Sequence, residues 1–237
     1  MTRKWTSGRW AQWIVVGLAV TLGSACGARS IQIEHDVLST LNAGGRLKLV
    51  RHPPPAFAVA APPNSRVESI AGVSGGALVI PGRPTHAAPM EEEYALDDPA
   101  IAVRAKLLDA LAFELGVTHD ESEGPPLTDD GPGALAEAVG REGWLLDVNT
   151  VHWGLAYDPK MWTRYRVQVQ TRGRLIDLSR QRVAWQATCD GSERDAPKKS
   201  GFAELTSQDA TALKERLSAA ADRCADVLIG HIFQGVR

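Results

Sequence analysis

One serine in this chain stands in a context typical of a nucleophile. Gly72, Ser74 and Gly76 form the pattern G-x-S-x-G, which exposes a serine where it lies on a sharp turn between a strand and a helix. Here Pro81 and Pro84 follow closely, and proline interrupts a helix because it lacks an N–H and clashes with the preceding turn. The sequence therefore favours a glycine turn between strands. A serine hydrolase that uses Ser74 is the alternative.

Histidines are the other side chains that commonly do chemistry near neutral pH, and here they are scattered. None of the six stands three or four positions from another histidine or from a cysteine, whereas a structural zinc site needs four closely placed ligands. The acidic residues around His119 are expected to form a solvated loop. We predict no metal site, no cofactor and no catalytic residue, so that an enzyme is the less favoured interpretation.

The N-terminus carries the pattern of a secretory signal peptide. Basic residues precede an apolar run, Ala11–Gly23, that is too short for a standing membrane span, which needs about 20 apolar residues. Small residues then precede Cys26. A positive start, a short apolar run and a small-residue exit are typical of an export signal, and we assign it to residues 1–25.

The segment Leu-Gly-Ser-Ala before Cys26 resembles a bacterial lipobox, in which the cysteine is joined to diacylglycerol and becomes the new N-terminus. The resemblance implies a lipoprotein anchored through Cys26, and Gly27 after it implies the outer membrane of a diderm host, facing the periplasm. Here the leucine stands four positions before the cysteine, where the usual motif has three. Cleavage without lipidation and an uncleaved anchor therefore stay open as alternatives.

Composition argues against two classes of function. Apolar residues make up 44% of the 237 residues and charged residues 23%, which is ordinary for a globular protein and too polar for a multi-span membrane protein. The formal net charge is -2, and lysines and arginines are scattered, so no positive field attracts nucleic acid. We expect no nucleic-acid partner.

Cys189 and Cys224 are the two cysteines that remain besides the anchor. An exported protein meets an oxidising compartment, where paired cysteines normally form bridges. Periodicity places Cys189 on a strand face with Val183 and Trp185, and Cys224 on the apolar stripe of the last helix. We predict a disulfide between them, with two buried free thiols as the alternative.

The element pattern predicts an α+β fold. Residues 26–45 have few apolar side chains and are expected to form a tether, and residues 46–237 a single domain. Two short strands interrupted by prolines are predicted within 46–61, a helix from Asp98 to Leu115 and a shorter helix from Ala134. From Trp144 the hydrophobic period changes to 2, which predicts an antiparallel meander up to Cys189.

A solvated loop should follow, and then a long C-terminal helix. This helix is predicted to start at Thr206, with Asp209 as its capping-box partner, and to bury one apolar stripe that includes Val227. Segregated strands and helices indicate two layers, with about three helices packed on a mainly antiparallel sheet.

Four aromatic residues are crowded between two predicted strands: Trp153, Tyr157, Trp162 and Tyr165. Such rings form either a small core beneath a loop or a surface that recognises a sugar or a protein partner. We expect a core and keep a candidate partner surface as the alternative. Arg174 and Asp177 are expected to pair and to stabilise the nearby turn.

Residues 145–189 carry a run of Trp and Tyr, then Arg-Leu-x-Asp, Trp185 and Cys189, and a helix with a second cysteine follows. This pattern resembles a family of uncharacterised bacterial envelope proteins, over residues 98–230. The order of elements is more distantly similar to envelope assembly lipoproteins, such as penicillin-binding-protein activators and curli-secretion lipoproteins. These resemblances imply a lipid-anchored, non-enzymatic envelope protein that binds a partner or assists assembly.

Overall fold

The computed structural model describes residues 30–60, 90–120, 126–158, 160–195, 197 and 200–234. Cys26, Ser74 and the predicted signal peptide therefore lie outside the described residues. The helices are α1 (His35–Asn42), α2 (Met90–Glu93), α3 (Pro99–Leu115), α4 (Pro132–Val139) and α5 (Phe202–Phe233). The strands are β1 (Arg46–Leu49), β2 (Ala58–Val59), β3 (Thr118–His119), β4 (Trp144–Asp158), β5 (Met161–Asp177) and β6 (Arg182–Asp190).

The strands form one sheet in the order β3-β1-β4-β5-β6, with β2 paired to β4 beyond that path. The long strands β4, β5 and β6 are antiparallel neighbours, and the short strands β1, β2 and β3 add parallel pairs. The predicted α+β class, the C-terminal meander and the long C-terminal helix are confirmed. Five helices occur in the described ranges, where about three were predicted. None of them is long and apolar enough to cross a bilayer.

The main core lies between one face of the sheet and the helices α3 and α5. Alternate residues of β4 belong to this core, among them Leu146 and Val148, while Leu145 points to the opposite face. On that second face α4 covers a smaller cluster through Leu135 and Ala136. The sheet is therefore covered on both faces near α4.

Two N-terminal predictions differ in outcome. The expected tether is helical over α1, where Val37, Leu38 and Leu41 are buried, so this part of the chain packs onto the domain. Three apolar residues at positions i, i+1 and i+4 are enough to cover one face of a two-turn helix, although the segment as a whole is polar. The two proline-interrupted strands were predicted correctly as β1 and β2.

Helix α3 begins and ends as predicted. The Asp98 carboxylate accepts a hydrogen bond from the N–H of Ala100 at 3.0 Å. Gly116 ends the helix with a φ of 63°, a left-handed conformation that glycine adopts without a steric cost. Beyond it, a solvated loop was predicted around His119, but Thr118 and His119 pair with β1 as β3.

Two predicted details of the meander and of α5 are wrong. A bulge beside Leu175 puts Val183 opposite Ile176, so Val183 packs on the second cluster and not on the face of Trp185 and Cys189. Val227 is 43% exposed and therefore lies off the buried stripe of α5.

The start of α5 also differs from the prediction. The helix begins at Phe202, where the Glu204 carboxylate accepts a hydrogen bond from the N–H of Gly201 at 3.1 Å. Thr206 is thus already helical, and the backbone then leaves the helical region from Ser207 to Ala210. Glu204 thus supplies one half of a capping box, five residues earlier than predicted, and Gly201 has no side chain to supply the other half.

The segment between β6 and α5 is held more firmly than a solvated loop. The N–H of Gly191 donates to Val169 at 2.9 Å and that of Glu193 to Val167 at 2.9 Å. A Cβ at position 191 would lie 2.2 Å from the carbonyl oxygen of Ala220, so only glycine allows this close approach to α5. The first residues after β6 therefore pack against the helix.

Candidate functional site

Cys189 and Cys224 form the predicted disulfide, with their Cα atoms 5.1 Å apart. Both side chains are buried, at 1% and 0% exposure. The bond joins β6 to α5 across a sequence separation of 35 residues. It fixes the C-terminal helix on the face of the sheet that forms the main core.

Trp153 lies in the core and not on a surface. Its side chain is 1% exposed, its ring packs edge-on against Phe57 at 5.1 Å between centroids, and its indole N–H donates to the carbonyl of Pro55 at 2.6 Å. The proline stretch before β2 therefore supplies the hydrogen-bond acceptor that a buried tryptophan needs.

The two tyrosines of the aromatic group also pack inwards. Tyr165 is 5% exposed, its hydroxyl lies 2.6 Å from that of the half-buried Tyr157, and its ring contacts Phe202 at 5.9 Å. Burial and the hydrogen bond with Tyr157 raise the pKa of Tyr165, so the phenol stays neutral. The side chain of Trp162 is outside the described residues.

A buried group of charges lies on the second face of the sheet, where no sequence motif predicted it. Asp147 on β4 is fully buried. Its carboxylate accepts from Nε of Arg174 on β5 at 2.7 Å and lies 2.7 Å from Nε2 of His52. Asp130 extends the group, since it pairs with Arg172 and its carbonyl accepts from Arg174 at 2.8 Å.

The hydrogen bonds of His52 define its charge. Nδ1 lies 2.8 Å from the carbonyl oxygen of Leu127, and Nε2 faces the Asp147 carboxylate. Both partners only accept, so both ring nitrogens donate, which requires the imidazolium form. The bond to Asp147 raises the pKa of His52 and outweighs the effect of burial, which lowers it.

Asp147 is held ionised by the same contacts. Burial raises the pKa of this carboxyl. The hydrogen bond from His52 and the charge of Arg174 lower it by more than burial raises it, so the net pKa lies below its ordinary value. The bond from Arg172 likewise lowers the pKa of Asp130. The group thus has three cations around two carboxylates, an arrangement that joins β4, β5 and the segments at His52 and Asp130.

This arrangement stabilises the fold and is unsuited to acid–base catalysis. A general-base histidine needs one free ring nitrogen to take a proton from a serine, and both nitrogens of His52 are engaged in a side chain that is 7% exposed. Within the described ranges, no three His, Cys, Asp or Glu side chains group as metal ligands.

The predicted pair of Arg174 with Asp177 is wrong. Residues three apart on a strand point to opposite faces, and Arg174 binds Asp147. Asp177 instead accepts from the hydroxyl of Ser179 at 2.6 Å and from Arg180 at 2.9 Å. Burial raises the pKa of Asp177, but these bonds lower it more. The turn is therefore stabilised by Asp177 with residues of the turn itself.

The charge of His52 makes stability depend on pH. Its pKa in the folded protein is raised above the unfolded value of 6.5, so its contribution is complete below pH 6.5 and is lost as the pH rises through the folded pKa. We expect the free energy of unfolding of the wild type, minus that of a His52→Gln variant, to decrease from about pH 5.5 to 8.5. Urea unfolding at several pH values in this range measures the difference between the two proteins. A difference that is constant or grows with pH would contradict the charged state assigned to His52.

An exposed apolar groove lies where the C-terminal parts of α3 and α5 meet. Phe113 is 87% exposed, and together with Ile229 and Phe233 it lines a groove of about 580 Å³. Glu114 is the one charged side chain among the described residues of its lining. Ile229 and Phe233 are partly buried against the main core. An exposed aromatic ring beside a concave apolar surface is typical of contact sites.

The apolar composition of α3 is a sequence feature that could have indicated this groove. Helix α3 is apolar on nearly all sides, and its outward residues include Ile101, which is 44% exposed, and Phe113. A helix of this kind is usually covered on more than one face. The second face of α3 is open in the described part of the chain.

These features define an α+β domain with a buried group of charges on one face of its sheet and an apolar groove where α3 and α5 meet. The chain matches no protein-family model and no curated protein sequence. Solved structures with some similarity include protein CT253 of Chlamydia trachomatis, at 10% identity, a TM-score of 0.39 and coverage of 80% of this chain and 98% of that one.

Two further solved structures with some similarity are named as an oligomer and as a lipoprotein. PelC of Paraburkholderia phytofirmans, described as a dodecamer, is 17% identical with a TM-score of 0.35, and the match covers 87% of this chain and 98% of that one. Lipoprotein GNA1162 of Neisseria meningitidis is 12% identical with a TM-score of 0.30, and the match covers 71% and 96%. At these TM-scores the similarities support no statement about function.

Proposed function

We propose that this protein is a lipid-anchored, non-enzymatic envelope protein that acts by binding a protein partner through the groove between α3 and α5. The sequence supports the anchor, because an export signal ends at the lipobox-like segment before Cys26. Gly27 supports the outer membrane, facing the periplasm, as the location. Anchored this way, the domain assists the partner or its assembly and carries out no reaction.

The observation that supports binding is the exposure of Phe113. A phenyl side chain that is 87% exposed forgoes about 2 kcal/mol of hydrophobic stabilisation that burial would give. Single exposed apolar residues are common on monomers, but here Ile229 and Phe233 line the same groove. A partner that covers all three gains the contact energy that the isolated domain lacks.

The lining also defines the chemistry of the partner. Ala110, Phe113, Ile229 and Phe233 are apolar, and Glu114 contributes the one negative charge among the described lining residues. A complementary segment presents apolar side chains to the rings and one lysine or arginine to Glu114. We therefore propose a protein segment of that kind as the occupant.

Photo-crosslinking from position 113 in intact cells tests this proposal. We expect benzoylphenylalanine at Phe113 to form one adduct with a second protein, and Glu114→Lys to abolish it by reversing the charge. The same probe at Ile101 is the matched control, since this residue is exposed on the same helix about 18 Å away. An adduct between two copies of this chain, a lipid adduct, or equal adducts from both positions would contradict the proposal.

Phe113→Ser separates binding from folding. Because the side chain makes few contacts within the domain, we expect the free energy of unfolding to change by less than about 0.5 kcal/mol. Thermal unfolding of the purified protein measures this change. A loss of more than about 2 kcal/mol would show that Phe113 is part of the core and not of a contact surface.

A further inference from the structure

The N-terminal segment is attached to one edge of the sheet. The N–H of Ile31 donates to the carbonyl of Gln186 on β6 at 2.8 Å, and the N–H of Gln186 donates back to Ile31 at 3.1 Å. Three residues later, Glu34 lies 3.5 Å from Arg182 near the start of β6. The chain thus runs antiparallel along β6, which is the last strand of the sheet.

Chain length limits how far this edge lies from the proposed anchor. Ile31 follows Cys26 by five positions, and five extended residues span at most about 17 Å. The lipid on Cys26 fixes that residue at the level of the headgroups, a layer about 6 Å thick on each side of the hydrocarbon core. Ile31 therefore lies within about 17 Å of Cys26, and so of the headgroup layer, in any conformation of the connecting residues.

We infer that the β6 edge of the sheet faces the lipid headgroups and that the β3 edge faces away from the membrane. This orientation rests on the proposed anchor at Cys26. Four inter-strand spacings separate β6 from β3, which amounts to about 19 Å. The side chains at the membrane-facing edge include Ile31, which is 38% exposed, and Arg182, which is 42% exposed. Ile31 can contact a lipid surface directly, and Arg182 lies beside it in its pair with Glu34.

Energy transfer from the domain to a lipid-borne acceptor tests the orientation. Lipidated protein with Arg182→Cys or His119→Cys is labelled with a donor. Only the introduced thiol reacts, because Cys189 and Cys224 form a disulfide and the sulfur of Cys26 carries diacylglycerol. Each protein is placed in vesicles of phosphatidylethanolamine and phosphatidylglycerol that contain an acceptor headgroup. Arg180 lies in the turn before β6, and its side chain is 66% exposed. Labelling an Arg180→Cys variant repeats the measurement without breaking the pair between Glu34 and Arg182.

We expect the transfer rate from positions 182 and 180 to be at least twice that from position 119. Equal rates, or a higher rate from position 119, would overturn the orientation. Flotation of the vesicles precedes the measurement and separates the two proposals. Protein that does not float would overturn the anchor together with the orientation, whereas floating protein with equal rates would overturn the orientation alone.

A longer connection provides the second variant. A Gly/Ser insert of 20 residues after Gly27 has an average span of about 25 Å and leaves the described domain unchanged. Because the short connection causes the orientation, we expect the ratio of the transfer rate from position 182 to that from position 119 to fall towards one. A ratio that stays at two or more would show that the connection does not cause it, which would overturn the inference.

Discussion

Replacing Asp147 by asparagine is expected to lower the free energy of unfolding by about 3 to 5 kcal/mol, because the change removes the one buried carboxylate that faces the buried cations Arg174 and His52. Asparagine has nearly the same size, so no cavity contributes to the loss. Asp147 is fully buried, and its carboxylate accepts from both side chains. Urea unfolding at pH 6 measures the change.

Asp130→Asn is the matched control for this substitution. Asp130 also faces Arg172 and Arg174, but its side chain is 45% exposed, and exposed ion pairs contribute about 1 kcal/mol or less. We expect the control to lose no more than that amount. A loss at Asp147 no larger than the loss at Asp130 would contradict the role given to the buried charges.

The second large effect is expected from removal of the disulfide. In the chain-entropy model, a bridge across 35 residues stabilises a fold by about 4 kcal/mol, because it restricts the unfolded chain. We expect a Cys189→Ala and Cys224→Ala double variant to lose about that amount in urea unfolding without reductant. Wild-type protein in reductant should approach the double variant.

Thiol counting checks that the bond exists in the mature protein. Protein purified from the envelope and denatured without reductant should show no free thiol from Cys189 or Cys224. Two free thiols would contradict the bridge, and the double variant would then be expected to lose only the packing of two small buried side chains.

The alternation of apolar and polar residues was enough to predict the meander and the position of α3. These elements depend on local signals: a period of 2 between Trp144 and Cys189, and a cap at each end of the helix. Register shifts interrupted this rule beside Leu175, which changes the face of Val183, and between Thr150 and His152 on β4. A bulge adds one residue to a strand, and no residue type in this segment indicates one. The face of Val183 was therefore not predictable.

The buried charges could not be predicted because their members are far apart in the chain. His52 and Asp147 are 95 positions apart, and only the order of strands brings them together. Sequence proximity suggested Arg174 and Asp177 instead, although a spacing of three puts them on opposite faces of β5. By contrast, Cys189 and Cys224 were predictable, because compartment and number of cysteines limit the partners that each can have.

The groove shows a different limit of sequence reasoning. Periodicity assigns the side of α3 that carries Leu111, which is 2% exposed, to a core. It places Phe113, two positions later, about 200° around the helix and so on the opposite side. Because that opposite side is also apolar, the pattern does not tell whether another element covers it. Which side of an apolar helix stays open is decided by what packs on it. Here α5 and the sheet cover one side only.

Mass spectrometry of the mature N-terminal peptide tests the central claim most directly, since both the binding proposal and the orientation assume a domain anchored at the membrane. The account predicts that the mature chain begins at Cys26 and that this residue carries diacylglycerol. A Cys26→Ser variant should then leave the membrane fraction. A chain that begins at an unmodified Cys26, or one that keeps residues 1–25, would contradict the account.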